Sequence, residues 1–185
     1  MVIVLIIVGV VLILGLIFVL IRNSMIGSRN RVDEAWSGID VQLKRRHDLV
    51  PNLVETVKGF AQHEQKVFEQ TANARADAMK AGTVEATQQA EAKLSGALTD
   101  LRAVAENYPD LRATENFQRL QADLNEIEDE IQASRRIYNS NVQSYNTKIQ
   151  IFPNSIVAGM GGFEAREFFE IETAAEREPV EVKFT

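Results

Sequence analysis

The chain has 185 residues, 45% of them hydrophobic, with 20 Lys and Arg against 26 Asp and Glu and a formal net charge of −6. Every charged side chain lies after Ile21, so the body carries the whole acidic imbalance, which argues against nucleic acid as a partner, since that needs a basic footprint. There is no cysteine, which excludes disulfides, thiolate metal sites, cysteine nucleophiles and a lipidated cysteine anchor while leaving the compartment open.

Residues 2–21 contain no charge, no proline and no strongly polar side chain. Twenty residues at about 1.5 Å each reach about 30 Å, the hydrocarbon thickness of a bilayer. A cleaved signal peptide would show a basic start, a shorter apolar core and a small-x-small cleavage site. This segment opens on Met1-Val2-Ile3-Val4 and leaves through Ile21-Arg22-Asn23-Ser24, so the expectation is a retained anchor over residues 1–22 in contact with the lipid bilayer through residues 2–21. Gly9 and Gly15 lack the four-residue spacing of a helix-dimer motif. Arg22, Arg29, Arg31 and the Lys44-Arg45-Arg46 run follow the segment, which by the positive-inside rule places the body in the cytoplasm.

From Met25 onward, seam positions recur at alternating steps of four and three: Met25, Arg29, Val32, Trp36, Ile39, Leu43, Arg46, Val50, Leu53, Val57, Phe60, Glu64, Val67. This is the pattern of a helix with a narrow apolar stripe. Pro51 interrupts it, and two readings stay open. Either the helix bends at Pro51 and continues to about residue 80, or the chain reverses there and four helices of similar length pack up and down. Of the glycines and polar residues of a tight reversal, Leu49-Val50-Pro51-Asn52-Leu53 offers only Asn52 beside the proline, which favours the continuous helix. Shorter partner helices would then leave its membrane-near stripe uncovered and in want of another subunit. Ala81-Gly82-Thr83 ends the first helical region, with Thr83 as cap of a shorter helix to about Asn107, and Pro109 ends that one. A second heptad series runs Phe117, Leu120, Leu124, Ile127, Ile131, Ser134, Tyr138, Asn141, Tyr145, Lys148, Phe152 and stops at Pro153. Residues 154–163 look like a loop, residues 164–172 like a short helical piece, and residues 179–185 alternate weakly like a strand.

The strings Arg29-Asn30-Arg31-Val32-Asp33-Glu34-Ala35-Trp36 and Ile39 through Val54 (IDVQLKRRHDLVPNLV) resemble the signature of the LemA family. So do Tyr108-Pro109-Asp110-Leu111, Arg136-Ile137-Tyr138-Asn139, Tyr145-Asn146 and the segment from Phe152-Pro153-Asn154-Ser155 to Gly162-Phe163. The resemblance covers nearly the whole chain in the right order. It implies an N-terminal membrane anchor and an up-and-down bundle of long antiparallel helices. It supplies no activity. The expected organisation is all-α: an anchor over 1–22, a helical bundle over 23–172 and a tail over 173–185.

His47 and His63 are the only histidines, sixteen residues and about 24 Å apart on a continuous helix, which is too far for one ion. No nucleophile elbow, phosphate loop or metal motif is present, so neither catalysis nor a cofactor is expected. The acidic cluster Glu126, Glu128, Asp129 and Glu130 is most simply a solvated face. Polar residues at seam positions, Arg29, Arg46, Glu64, Ser134 and Asn141, either fix register or sit at the stripe's edge and reach water. Two functions follow. One is a non-enzymatic scaffold that forms homo-oligomers through the uncovered seam near Met25 to Leu43, with Trp36 and Ile39 as its central contacts and the polar seam residue Arg46 as a further interaction candidate. The other is an adaptor for a different membrane protein, such as a protease or transporter. Its interaction face would be Tyr138, Asn139, Tyr145 and Asn146, spaced in sevens on one helix, together with the uncharged segment from Phe152 to Phe163.

Overall fold

The computed structural model describes residues 1–170. Among the described residues it holds six helices and no strand: α1 (Val2–Lys58), α2 (Gln65–Ala78), α3 (Val84–Glu106), α4 (Pro109–Arg112), α5 (Glu115–Gln150) and α6 (Asn154–Gly161). Two compact units are formed. One comprises residues 1–39 and 133–168, the other residues 40–132 with Phe169 and Glu170.

The second of these units is an up-and-down four-helix bundle. Residues 40–58 of α1, then α2, α3 and residues 115–132 of α5 alternate in direction, as the cross-links Arg75–His47, Thr71–Ala97, Arg102–Asn125 and Asn116–Thr56 establish. Its core joins Val50, Leu53 and Val57 to Leu94, Leu98, Leu101, Phe117 and Leu124, with Phe68 and Leu111 closing it. Val50, Leu53, Val57, Phe117 and Leu124 are positions of the two heptad series, so this part of the stripe is buried within the chain. Thr83 caps α3 by accepting a hydrogen bond from the Ala86 N–H, and Pro109 opens α4 in the first turn, where its missing N–H would have no intrahelical partner. Thr114 caps α5 through the Phe117 N–H.

α1 runs through Pro51 without a break. A mid-helix proline cannot donate to the carbonyl four residues back, here that of His47, at a cost near 3 kcal/mol in an isolated helix. The bundle supplies another donor: Arg75 Nε on α2 reaches the His47 carbonyl at 2.6 Å. The helix does not continue to residue 80, however. It ends at Lys58, and the reversal falls on residues 59–64, a connection of ordinary length for a bundle. The 4–3 spacing through Val57, Phe60, Glu64 and Val67 is indifferent to a turn that re-enters in the same phase. Phe60 is exposed and Ala61 takes the core position.

In the first unit, α1 and α5 lie antiparallel. The Asn141 side chain donates to the Arg31 carbonyl, and Lys148 Nζ donates to Ser28 Oγ at 2.6 Å and to Ser24 Oγ at 3.3 Å. Because α5 extends to Gln150, it covers the stripe that sequence reasoning left uncovered: Met25, Val32 and Ile39 are buried. Residues 154–161 are helical rather than a loop. α6 ends at Gly162, whose φ of 64° is the left-handed cap that glycine allows, and the Phe163 N–H returns to the Ala158 carbonyl. Residues 164–170 form neither helix nor strand; the rest of that expected helix and the strand-like tail lie outside the described residues. Residues 2–20 of α1 are almost wholly exposed apolar side chains, and the helix is long and apolar enough to cross a membrane.

Candidate functional site

Two side-chain constellations stand out, one in each unit. In the four-helix bundle, Arg46 occupies a seam position of α1 and is 2% exposed. Its Nη1 donates to Glu91 Oε2 at 3.0 Å; its Nη2 donates to Ser95 Oγ at 2.7 Å and pairs with Glu128 Oε1 at 3.0 Å. His47 Nε2 lies 2.6 Å from the other Glu91 oxygen. Glu91 is fully buried and engages both neighbours at once. Arg46 therefore does not reach out to water, as a long side chain at the stripe's edge would. Its charge is compensated inside, by α3 and α5 together. Removing one member of such a set strands a buried charge, so the set ties α1 to α3 and α5. An open cleft of about 360 Å³ adjoins it, lined by Arg46, Thr99, Arg102, Asn125 and Glu128, with charges of both signs. No group of His, Asp and Glu among the described residues is placed to hold a metal ion.

In the other unit, α5 holds the irregular segment that follows α6. Asn146 forms a reciprocal pair with the backbone of Arg166: its Nδ2 donates to the Arg166 carbonyl at 2.9 Å, and its Oδ1 accepts from the Arg166 N–H at 2.8 Å. One turn pair earlier, Tyr138 Oη donates to the Glu167 carbonyl at 2.9 Å. Arg166 reaches Asp33 on α1 at 2.9 Å, and the Arg29 guanidinium sits 5.7 Å from the centre of the Phe163 ring. The Trp36 and Tyr138 rings meet at 5.4 Å, tilted by 60°. Burial pushes the Tyr138 and Tyr145 phenols up from their ordinary pKa, and the Arg166 guanidinium partly opposes it.

The seven-residue spacing of Tyr138/Tyr145 and Asn139/Asn146 thus places the first tyrosine and the last asparagine on this chain's own segment. Tyr138 and Tyr145 are buried, Asn139 and Asn146 half-buried. Ile39 and Arg46 are buried and Trp36 is half-buried. Phe152 is exposed, and Phe163 is half-buried under Arg29. Sequence reasoning missed Glu91, Asp33, Arg166 and Glu167. Glu91 had a signal: Thr87, Glu91, Leu94, Leu98, Leu101 and Ala105 follow the same 4–3 rhythm, so a carboxylate at a seam position of α3 calls for a buried cation. The backbone carbonyls of residues 166 and 167 carry no signal, because any residue type offers them.

The model of the LemA family matches residues 35–184. The chain is 24% identical over 180 residues to magnetosome protein MamQ 2 of Paramagnetospirillum magneticum, covering 83% of this chain and 66% of that protein. It is 24% identical over 166 residues to magnetosome protein MamQ of Magnetospirillum gryphiswaldense, covering 76% and 61%. Protein LemA of Metamycoplasma hominis is 25% identical over 141 residues, covering 74% of this chain and 63% of its own. The chain thus spans just under two thirds of the length of the curated relatives it matches.

Proposed function

The chain belongs to the LemA family, and we propose that it is a non-enzymatic, membrane-anchored helical platform that holds another protein at the membrane. The observation that carries this reading is the closure of the seam. Met25, Val32, Ile39, Leu43, Val50, Leu53 and Val57 are all covered by this chain's own helices, so the stripe does not depend on a second subunit. The buried ionisable groups Arg46, Glu91 and His47 are committed to one another, which suits a structural body better than a reactive site. In this reading residues 1–22 act as the anchor, and the basic residues from Arg22 onward favour a helical body on the cytoplasmic side. Self-assembly as a homo-oligomeric scaffold is the second reading. It would use other surfaces than the seam, and the exposed Val41 and Ile137 side chains, 57% and 59% accessible, are the observation in its favour.

Native mass spectrometry of the full-length protein, extracted in mild detergent from its own membrane, separates the two. One foreign chain bound in fixed ratio supports the platform and identifies what it holds. A homo-oligomer supports the scaffold. A lone monomer counts against both.

A further inference from the structure

We propose that α6 and the turn before it form a second membrane contact, lying in the lipid interface beside the point where α1 enters the bilayer. The proposal rests on the membrane-spanning reading of α1 and is independent of the platform reading. Three observations place the segment. First, Lys148 on α5 bonds to Ser24 and Ser28 on α1, and Ser24 is three residues past Ile21, about 4.5 Å along the helix from the end of the apolar stretch. Since α5 runs antiparallel to α1 here, every residue of α5 beyond Lys148 heads toward the bilayer. Second, the chain returns at Phe163 to the level of Arg29, and at Arg166 to Asp33, so residues 149–162 are the part of this unit nearest the membrane boundary. Third, that part carries no charged side chain and turns apolar groups outward: Ile151 is 51%, Phe152 80%, Ile156 57% and Met160 74% exposed.

Phe152, Ile156 and Met160 follow at steps of four, one outward stripe across the turn and α6, while Val157 and Ala158 are buried behind it. A short helix apolar on both faces is out of place in water, and water would meet the outer face at every position away from lipid. At the boundary the same face continues the apolar surface of residues 2–21. Arg22 and Arg29 stand where lipid phosphates begin. The lipid acyl boundary is therefore the occupant that the position and chemistry of this face require.

The chain has no cysteine, so single-cysteine variants report one site each. Full-length protein would carry Phe152→Cys, Ile156→Cys or Met160→Cys with an environment-sensitive fluorophore, in vesicles of phosphatidylcholine and phosphatidylglycerol. Ile13→Cys marks the anchor and Ser140→Cys an exposed position about two turns farther from the membrane than Lys148. The expected result is loss of fluorescence to nitroxide-labelled acyl chains at residues 152, 156 and 160, comparable to that at residue 13, with residue 140 quenched only by aqueous iodide. Quenching of the three sites by iodide alone, with residue 13 quenched by lipid, would overturn the proposal and leave the anchor standing. Shielding from both quenchers would overturn it in favour of a covering protein. Absence of lipid quenching at residue 13 would overturn the membrane-spanning reading and the proposal with it.

Discussion

Arg46 ties three helices of the bundle together from one seam position. A guanidinium that is 2% exposed must be compensated, and Glu91, Ser95 and Glu128 do so from two other helices. Arg46→Ala leaves the buried Glu91 carboxylate with His47 as its remaining partner. We expect a loss of about 3 kcal/mol, read as a lower urea midpoint. The double variant Arg46→Met, Glu91→Leu should lose much less than the sum of the two singles, because it removes the charges as well as the bond. The buried tyrosines make a second residue-scale prediction. Burial raises the folded pKa of Tyr138 and Tyr145 above the ordinary value of 10.0. The stability linked to their neutral forms is therefore fully present below about pH 10 and is lost as pH rises through the folded values. Urea unfolding at stepped alkaline pH, followed with tyrosinate absorbance, should show stability falling from about pH 10 upward, and Tyr138→Phe should weaken that fall.

At the scale of elements, α1 survives its proline because another helix takes over the donor's place. Pro51 removes the N–H that would bond the His47 carbonyl, and Arg75 on α2 fills the gap at 2.6 Å. In a Pro51→Ala background the helix makes its own bond and Arg75 becomes partly redundant. A double-mutant cycle over Pro51→Ala and Arg75→Ala should show a coupling of about 1 kcal/mol, with Arg75→Ala more damaging when the proline is present. A coupling of zero would mean that the carbonyl is satisfied otherwise. The boundaries of the elements follow local chemistry where caps are explicit, as at Thr83 and Pro109. They escape it at residues 59–64, where the heptad phase runs through the turn, and at α6, where glycines and a leading Pro153 look like a loop. There the packing of Val157 and Ala158 against the rest of the unit stabilises a helix whose own propensity is poor.

For the molecule as a whole, the decisive fact is which helices cover the long apolar stripe. Ile39 was a natural candidate for a contact between subunits, yet it is wholly buried within the chain. Ile39→Ala should therefore cost about 3 kcal/mol of folding stability at a monomer's mass, seen as a lower unfolding midpoint with no concentration dependence. If the variant instead changes the mass of an assembly without moving the midpoint, the stripe is an intersubunit contact after all.

Periodicity, charge placement and caps by themselves determined the class of this protein: an uncharged span of bilayer length, two heptad series, and breaks at Thr83, Pro109 and Pro153. These are local properties, set by the helical repeat and by the backbone chemistry of a few residue types, so one sequence suffices to see them. Only the tertiary structure decided what closes the seam, where the first reversal falls, that Arg46 is buried on Glu91, and that Tyr138 and Asn146 hold residues 166 and 167 of the same chain. Each of these depends on which distant segments meet. A 4–3 stripe specifies that a helix must be covered but carries no record of what covers it, and a backbone carbonyl is an acceptor whatever side chain stands beside it.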